Sequence, residues 1–222
     1  MTKSGFRPYS EFTRFRADEM LSRAEAMAAH MATRRTVREF SPEPVEPAVV
    51  NHCLQVALTA PSGANQQPWS FVIVEDQAIR RQLREAAEAE EREFYNGRAP
   101  DEWRNAVAPF GTDASKPFLE TAPVLICIFA ETWKSLPDGS RGKNYYVSES
   151  VGIATGFLIA ALHHAGLATL THTPSPMKFL NSILARPDNE RPFLILVAGF
   201  PAVDCQVPMI TKRSMHEAVI HV

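Results

Sequence analysis

Segments with strand character alternate along this chain with segments at helical spacing, and that order restricts the fold more than any single motif. Residues 10–33 mix Glu, Arg, Met and Ala at helical spacing, and "EPAVVNHCLQVALTA" repeats the pattern until "PSG" breaks it. "WSFVIVE" alternates as a strand, and a highly charged helix is expected from about Gln77 to Gly97. Pro100 to Pro117 has little periodicity and reads as a loop. "APVLICIF" is expected as a buried strand, residues 145–165 as a long helix, "LATLTH" as a strand, "KFLNSILA" as a short helix and "PFLILVAGF" as another strand. Such interleaving indicates a mixed α/β or α+β domain. Without an internal repeat, low-complexity linker or clear boundary, residues 1–222 are expected to form one domain. Residues 1–32 read as a helical arm, and the last 20 return to polar and apolar alternation. Arms of this kind wrap a partner subunit or pack on their own core, and the sequence leaves both open.

Charge and hydropathy remove several classes of function. Lys plus Arg (23) nearly balances Asp plus Glu (25), giving a net charge of −2 and no field to attract nucleic acid or an anionic membrane. The most apolar run, "VGIATGFLIAAL", has 12 residues and reads as a buried helix, since a span needs about 20. The opening "MTKSGFRPYSEF" has no apolar core for a signal peptide. Cys53, Cys127 and Cys205 lack metal-ligand spacing and suit a reducing compartment, so the expectation is a cytoplasmic protein. His163 and His164 are adjacent on a helix and diverge, so no metal site is expected.

Against that near-neutral balance, "TRRTVREFS" places three arginines, Arg34, Arg35 and Arg38, within five residues. The guanidinium fork suits bidentate binding of phosphate, and a solvated face is the competing reading. "TAPSGANQQPW" puts Pro61, Ser62 and Gly63 at a helix end, followed after Ala64 by three amides, Asn65, Gln66 and Gln67. Amides at a turn can read the edge of a polar heterocycle, although turn chemistry alone would also explain them. Glu91 and Tyr95 are four apart and share a helix face, with Lys116 following 25 positions after Glu91. Brought together, they would form a receptor for a zwitterion: Lys116 and Tyr95 for a carboxylate, Glu91 for an ammonium. The acidic run Glu88, Glu90, Glu91 and Glu93 also reads as a solvated helix face.

"RRTVREF", "APSGANQQPWSFVIV", "GLATLTHTP" and the basic pair Lys212 and Arg213 occur in that order. Together they resemble the nitroreductase-type flavoprotein superfamily, over about residues 8 to 222. The resemblance implies an α+β nitroreductase-like fold, with a central mixed sheet flanked by helices and a homodimer with exchanged terminal arms. It implies FMN as cofactor, with Arg34, Arg35, Thr36, Val37 and Arg38 at the phosphate and ring edge. Pro61 and Ser62 would touch the flavin, Thr171, His172 and Thr173 would lie along the ring, and Lys212 (or Arg213) would close on the phosphate.

Within that superfamily, Glu91, Tyr95 and Lys116 resemble the substrate lid of the iodotyrosine deiodinase branch, here about residues 90–117. "FTRFRADEMLSRAEAM" and "GKNYYVSESVGIATGFLIAALHHAGL" resemble the same branch. The membrane anchor of the animal enzymes has no counterpart, which leads us to expect a soluble bacterial form. "THTP" departs from the Thr-rich equivalent of the animal enzymes, and Asn65 is closer to general nitroreductases. The implied reaction is reductive dehalogenation of a halogenated tyrosine, with an unidentified reductant. The Ala64 N–H would bind the phenolate oxygen, and the Thr173 hydroxyl would donate to flavin N5 and favour one-electron steps. The alternative is an NAD(P)H-dependent nitroreductase or quinone reductase on the same fold.

Overall fold

The structure is a computed structural model that describes residues 5–222. The chain divides into two compact units, Met1–Arg34 and Arg35–Val222. In the first, helix α1 spans Ala17–Ala32 and starts later than the spacing predicts. Asp18 and Glu19 sit in its first turn, where they favour the helix dipole, and Glu19 pairs with Arg23 at 2.9 Å. The helix buries none of its residues, and Met20, Leu21 and Met27 are exposed.

In the second unit, α2 (Pro47–Leu58) starts with proline at its first position, where the missing N–H costs nothing. Strand β1 (Trp69–Ile73) and helix α3 (Gln77–Glu93) follow, with the Asp76 carboxylate accepting from the N–H groups of Ala78 and Ile79 as an N-cap. Then come α4 (Asp101–Val107), α5 (Phe118–Thr121) and β2 (Val124–Glu131). A small hairpin pairs β3 (Trp133–Ser135) with β4 (Arg141–Lys143). The chain continues through α6 (Val147–His164), β5 (Ala168–His172), α7 (Phe179–Ile183), β6 (Glu190–Gly199) and α8 (Met215–Ala218).

Strands β1, β2, β6 and β5 lie side by side in that order, every pair antiparallel. The parallel component is a single bridge between Thr36 and Thr169. Alternation along β2 divides the interior into two cores. Val124, Ile126, Ile128 and Ala130 pack with residues of α2 and α6, while Leu125, Cys127 and Phe129 pack with residues of α3, α5 and α7. Helices on both faces explain why β2 is an unbroken apolar run rather than an alternating one. Burial pushes the Cys127 thiol up to about 12, so it acts as a small hydrophobe.

Three local features differ from the sequence expectation. The segment taken as a loop contains α4, whose seven residues are too short to show helical periodicity. The charged helix stops at Glu93 and gives way to one π-helical turn, Phe94–Arg98, closed by Ala99 N–H to the Phe94 carbonyl at 2.8 Å. The C-terminal segment contains no strand among the described residues; it crosses to the bridge of Phe40 with Pro201 and ends in α8, capped by Ser214 and Glu217.

The open end of the sheet has a charge problem of its own. Glu131 and Glu190 are direct cross-strand partners, so two carboxylates face each other. Arg186 resolves it by a two-pronged pair with Glu190 at 2.6 and 2.7 Å, and Ser70 donates to Glu190 at 2.7 Å. Burial opposes the Glu190 charge, but the Arg186 and Ser70 bonds prevail and lower its pKa. Burial raises Glu131, and Glu190 adds to that rise. Removing Arg186 leaves a buried carboxylate without its cation. Arg186→Ala is expected to lower stability by about 1.5–3 kcal/mol, read as a smaller midpoint in urea unfolding with an unchanged slope.

Candidate active site

The basic cluster lies on a short extended segment whose residues alternate. Val37 is buried at 5 % exposure, and its N–H donates to the Thr169 carbonyl at 3.2 Å. Thr36 and Arg38 therefore turn outward on either side of it. They line a cavity of about 220 Å³ with Arg35, Phe110, Thr171 and the C-terminal residues Pro208 and Ile210. The Arg35 guanidinium also donates to the Pro208 carbonyl, which fixes where the C-terminal segment passes. Two guanidiniums beside two threonine hydroxyls form a donor set suited to a phosphate monoester. Arg34 belongs to the first unit, where its N–H donates to the Met31 carbonyl.

The pleat of β5 separates the three residues expected together on its C-terminal end. Thr171 and Thr173 are exposed, whereas His172 is 7 % exposed and meets the Phe118 ring edge-on with centroids 5.6 Å apart. The His172 imidazole thus points to the core. Lys212 is exposed and Arg213 donates to the Glu217 carbonyl, so neither lines the arginine cavity within one chain.

The turn after α2 is held by close contact. A Cβ on Gly63 would lie 2.8 Å from Tyr146 Cδ2 and 2.9 Å from the Tyr145 carbonyl oxygen, so only glycine fits. Ala64, Asn65 and Gln67 all adopt positive φ, of 50°, 53° and 50°, an arrangement strained for residues with a Cβ. The turn closes on the N–H groups of Asn65, Gln66 and Gln67, leaving the Ala64 N–H out of those bonds. Gln66 locks the turn to the segment before α6, donating to the Lys143 carbonyl at 3.2 Å and accepting from Tyr145 N–H at 2.6 Å. The Gln67 amide donates to the Asn65 carbonyl at 3.4 Å, so two of the three amide side chains hold the turn or anchor it.

Ala60 and Trp69, flanking this turn, belong to the core shared with α2 and α6, whereas Val37 belongs to the core on the other side of the sheet. One chain thus carries the arginine cavity beyond the β5 edge of its sheet and the Pro61–Ala64 turn at the β1 edge.

Glu91, Tyr95 and Lys116 do converge. Lys116 is 3 % exposed, and its Nζ lies 3.5 Å from Glu91 Oε2. It also donates to Thr112 Oγ1 at 3.3 Å and to the Asp113 carbonyl. The Tyr95 hydroxyl donates to the Thr112 carbonyl at 3.3 Å. Trp103 of α4 packs edge-on against Phe94 and Tyr95, and Arg104 donates to the Tyr95 carbonyl at 2.7 Å. Burial raises the Glu91 carboxyl above its usual range, although the Lys116 ammonium pulls it down. Thr112, Trp103 and Arg104 border this group, and nothing in their local sequence pattern marks them.

A larger cavity, about 640 Å³, holds none of these groups. Its buried Arg80 donates to the carbonyls of Val74, Ala122 and Pro123, which gives that guanidinium a structural role.

The sequence model of the nitroreductase family matches residues 31–200. The chain belongs to this family. It is 53 % identical to the iodotyrosine deiodinase of Haliscomenobacter hydrossis, across 95 % of each chain. The iodotyrosine deiodinase of Danio rerio is 39 % identical, over 96 % of this chain and 72 % of that protein. A crystal structure of oxidized iodotyrosine deiodinase bound to FMN and 3-iodo-L-tyrosine superimposes with a TM-score of 0.75 at 30 % identity, covering 85 % of this chain and 96 % of the other. No helix among the described residues is long and apolar enough to cross a membrane.

Burial, with the Lys116 ammonium adding to it, lowers His172 from its ordinary 6.5 to about 3. In the unfolded chain the imidazole takes a proton first, so stability falls as pH drops from about 6.5 towards 3. His172→Phe is expected to flatten that acid limb of the stability curve. An equal acid loss in both proteins would refute the assignment.

Proposed function

We infer that the chain is an FMN-dependent reductive dehalogenase of halogenated tyrosines, converting them to tyrosine and halide. The observation that carries this reading is the buried Lys116 ammonium beside Glu91, with Tyr95 bonded to the same loop. A carboxylate, a phenol and an ammonium held together suit an amino-acid zwitterion, a demand that a nitroarene or quinone does not make.

Each part of the chain has a separate task in that reaction. Arg35, Arg38 and Thr36 would hold the FMN phosphate, with Lys212 as a further basic group. Pro61 and Ser62 would lie against the flavin, with Thr171 and Thr173 beside it and the Thr173 hydroxyl available as a donor to N5. Bound FMN supplies the electrons that expel halide. The Ala64 N–H donates to the substrate's phenolate oxygen, which favours protonation of the ring at the halogen-bearing carbon. Residues from about 90 to 117 close over the ring, excluding water.

Two copies of the chain complete the site. In support, the arginine cavity and the Pro61–Ala64 turn lie at opposite edges of one sheet, with β2 and β6 between them. Apolar residues consistent with such an interface are exposed on α2 (Val56, Leu58), on α6 (Ile153, Phe157) and in the C-terminal segment (Met215, Ile220).

The purified protein is expected to bind FMN and, reduced anaerobically with dithionite, to release iodide and tyrosine from 3-iodotyrosine. Rapid nitroarene reduction without iodide release would favour the nitroreductase alternative. Glu91→Gln removes the charge that meets the substrate ammonium. It is expected to weaken 3-iodotyrosine binding by about ten- to a hundredfold and leave the ligand-free flavin spectrum unchanged. Because the Glu91 carboxyl is raised, wild-type affinity should fall on acidification at a higher pH than an ordinary glutamate would cause. Glu91→Gln should lack that fall. Sedimentation should give a dimer, and a monomer that binds FMN with full affinity would remove the two-copy arrangement.

A further inference from the structure

We propose that Thr112 is a positioning residue for substrate selection, holding Lys116 and Tyr95 at a fixed separation; this rests on the zwitterion reading above. An ammonium has three N–H donors. The groups around Lys116 Nζ are the Glu91 carboxylate at 3.5 Å, Thr112 Oγ1 at 3.3 Å and the Asp113 carbonyl. The three acceptors match the three donors.

A zwitterion can enter only by exchange. Its ammonium takes Glu91, its carboxylate takes the Lys116 donor that Glu91 releases, and the internal ion pair opens. The ammonium of Lys116, still buried, then depends on Thr112 and Asp113 for its remaining bonds. Its backbone is held separately, since Lys116 N–H donates to Glu88 Oε1 at 2.8 Å. Thr112 has a second tie, because its carbonyl accepts from the Tyr95 hydroxyl at 3.3 Å. One residue thus places both groups that meet a carboxylate, through its side chain and through its backbone; the Tyr95 O–H, with one hydrogen, turns from the Thr112 carbonyl to the incoming carboxylate. Asp113 is fixed beside it by its own side chain, which accepts from Ser115 N–H at 2.9 Å.

Thr112→Val deletes the hydroxyl at nearly constant shape and keeps the carbonyl. Binding and turnover are measured on the FMN-loaded protein with two probes, 3-iodotyrosine and 2-iodophenol, the second lacking the zwitterion. Thr112→Val is expected to raise Kd and KM for 3-iodotyrosine about tenfold. Its kcat and its 2-iodophenol binding should stay at the wild-type level, and Thr112→Ser should restore 3-iodotyrosine binding. Unchanged 3-iodotyrosine binding in Thr112→Val, or equal weakening for both probes, overturns the proposal. Lys116→Ala separates the two levels of the argument. If it weakens 3-iodotyrosine while Thr112→Val does not, only the role of Thr112 fails. If Lys116→Ala leaves 3-iodotyrosine binding intact, the zwitterion reading fails and the proposal with it.

Discussion

The pairing of β2 with β6 is the constraint on which the rest of Arg35–Val222 depends. Both strands are buried over most of their length, and each sends alternate side chains into one of two cores. A one-residue slip would exchange the two sets, so the register is fixed by hydrophobic burial on both faces. Through β6 that register fixes β5, and through the bridge at Thr169 it fixes the basic segment. On the other side it fixes β1, and with it the turn that precedes β1. The arginine segment and the turn before β1 are thus held at two edges of one sheet, with β2 and β6 between them.

The segment from Phe94 to Lys116 is organised by different physics. Little apolar surface is buried there beyond the aromatic cluster of Phe94, Tyr95 and Trp103. What orders it is a set of charges taken out of water and satisfied locally. A buried ion pair of this kind contributes little net stability, since desolvation offsets much of its attraction. It does hold the two charges 3.5 Å apart, each met by the other. The π-helical turn at Phe94–Arg98 lets α3 end and α4 begin within a few residues, placing Trp103 against Tyr95. Such turns recur at functional sites because they reset side-chain direction without ending the hydrogen-bonded chain.

Much of the fold was legible because its signals are local. The strands β1, β2, β5 and β6 and the helices α2, α3 and α6 follow from periodicity and from the breakers that bound them. The residues Glu91, Tyr95 and Lys116 were legible as a set by resemblance, and their convergence appears in the fold. Other features were not legible. Seven residues of α4 carry too little periodicity, and the Arg35 contact to Pro208 spans 173 positions. His172 and Val37 sit inside motifs whose neighbours face outward, yet their own side chains face the core. A motif lists residues in order, whereas an extended backbone turns every second one away.

What the sequence determined by itself was residue chemistry and element order. Those are the guanidiniums for an anion, the glycine at position 63, the charged helix ahead of the lid, and apolar runs long enough for a sheet covered on both sides. What only the tertiary structure decided was which of those groups share a space. Glycine at 63 is required because the Tyr145 carbonyl approaches it, a contact between segments more than 80 residues apart. Thr112 matters because it lies between Tyr95 and Lys116, and its identity alone gives no sign of that. The division has one physical cause: propensity and periodicity act between neighbours in the chain, while hydrogen bonding and burial act between neighbours in space.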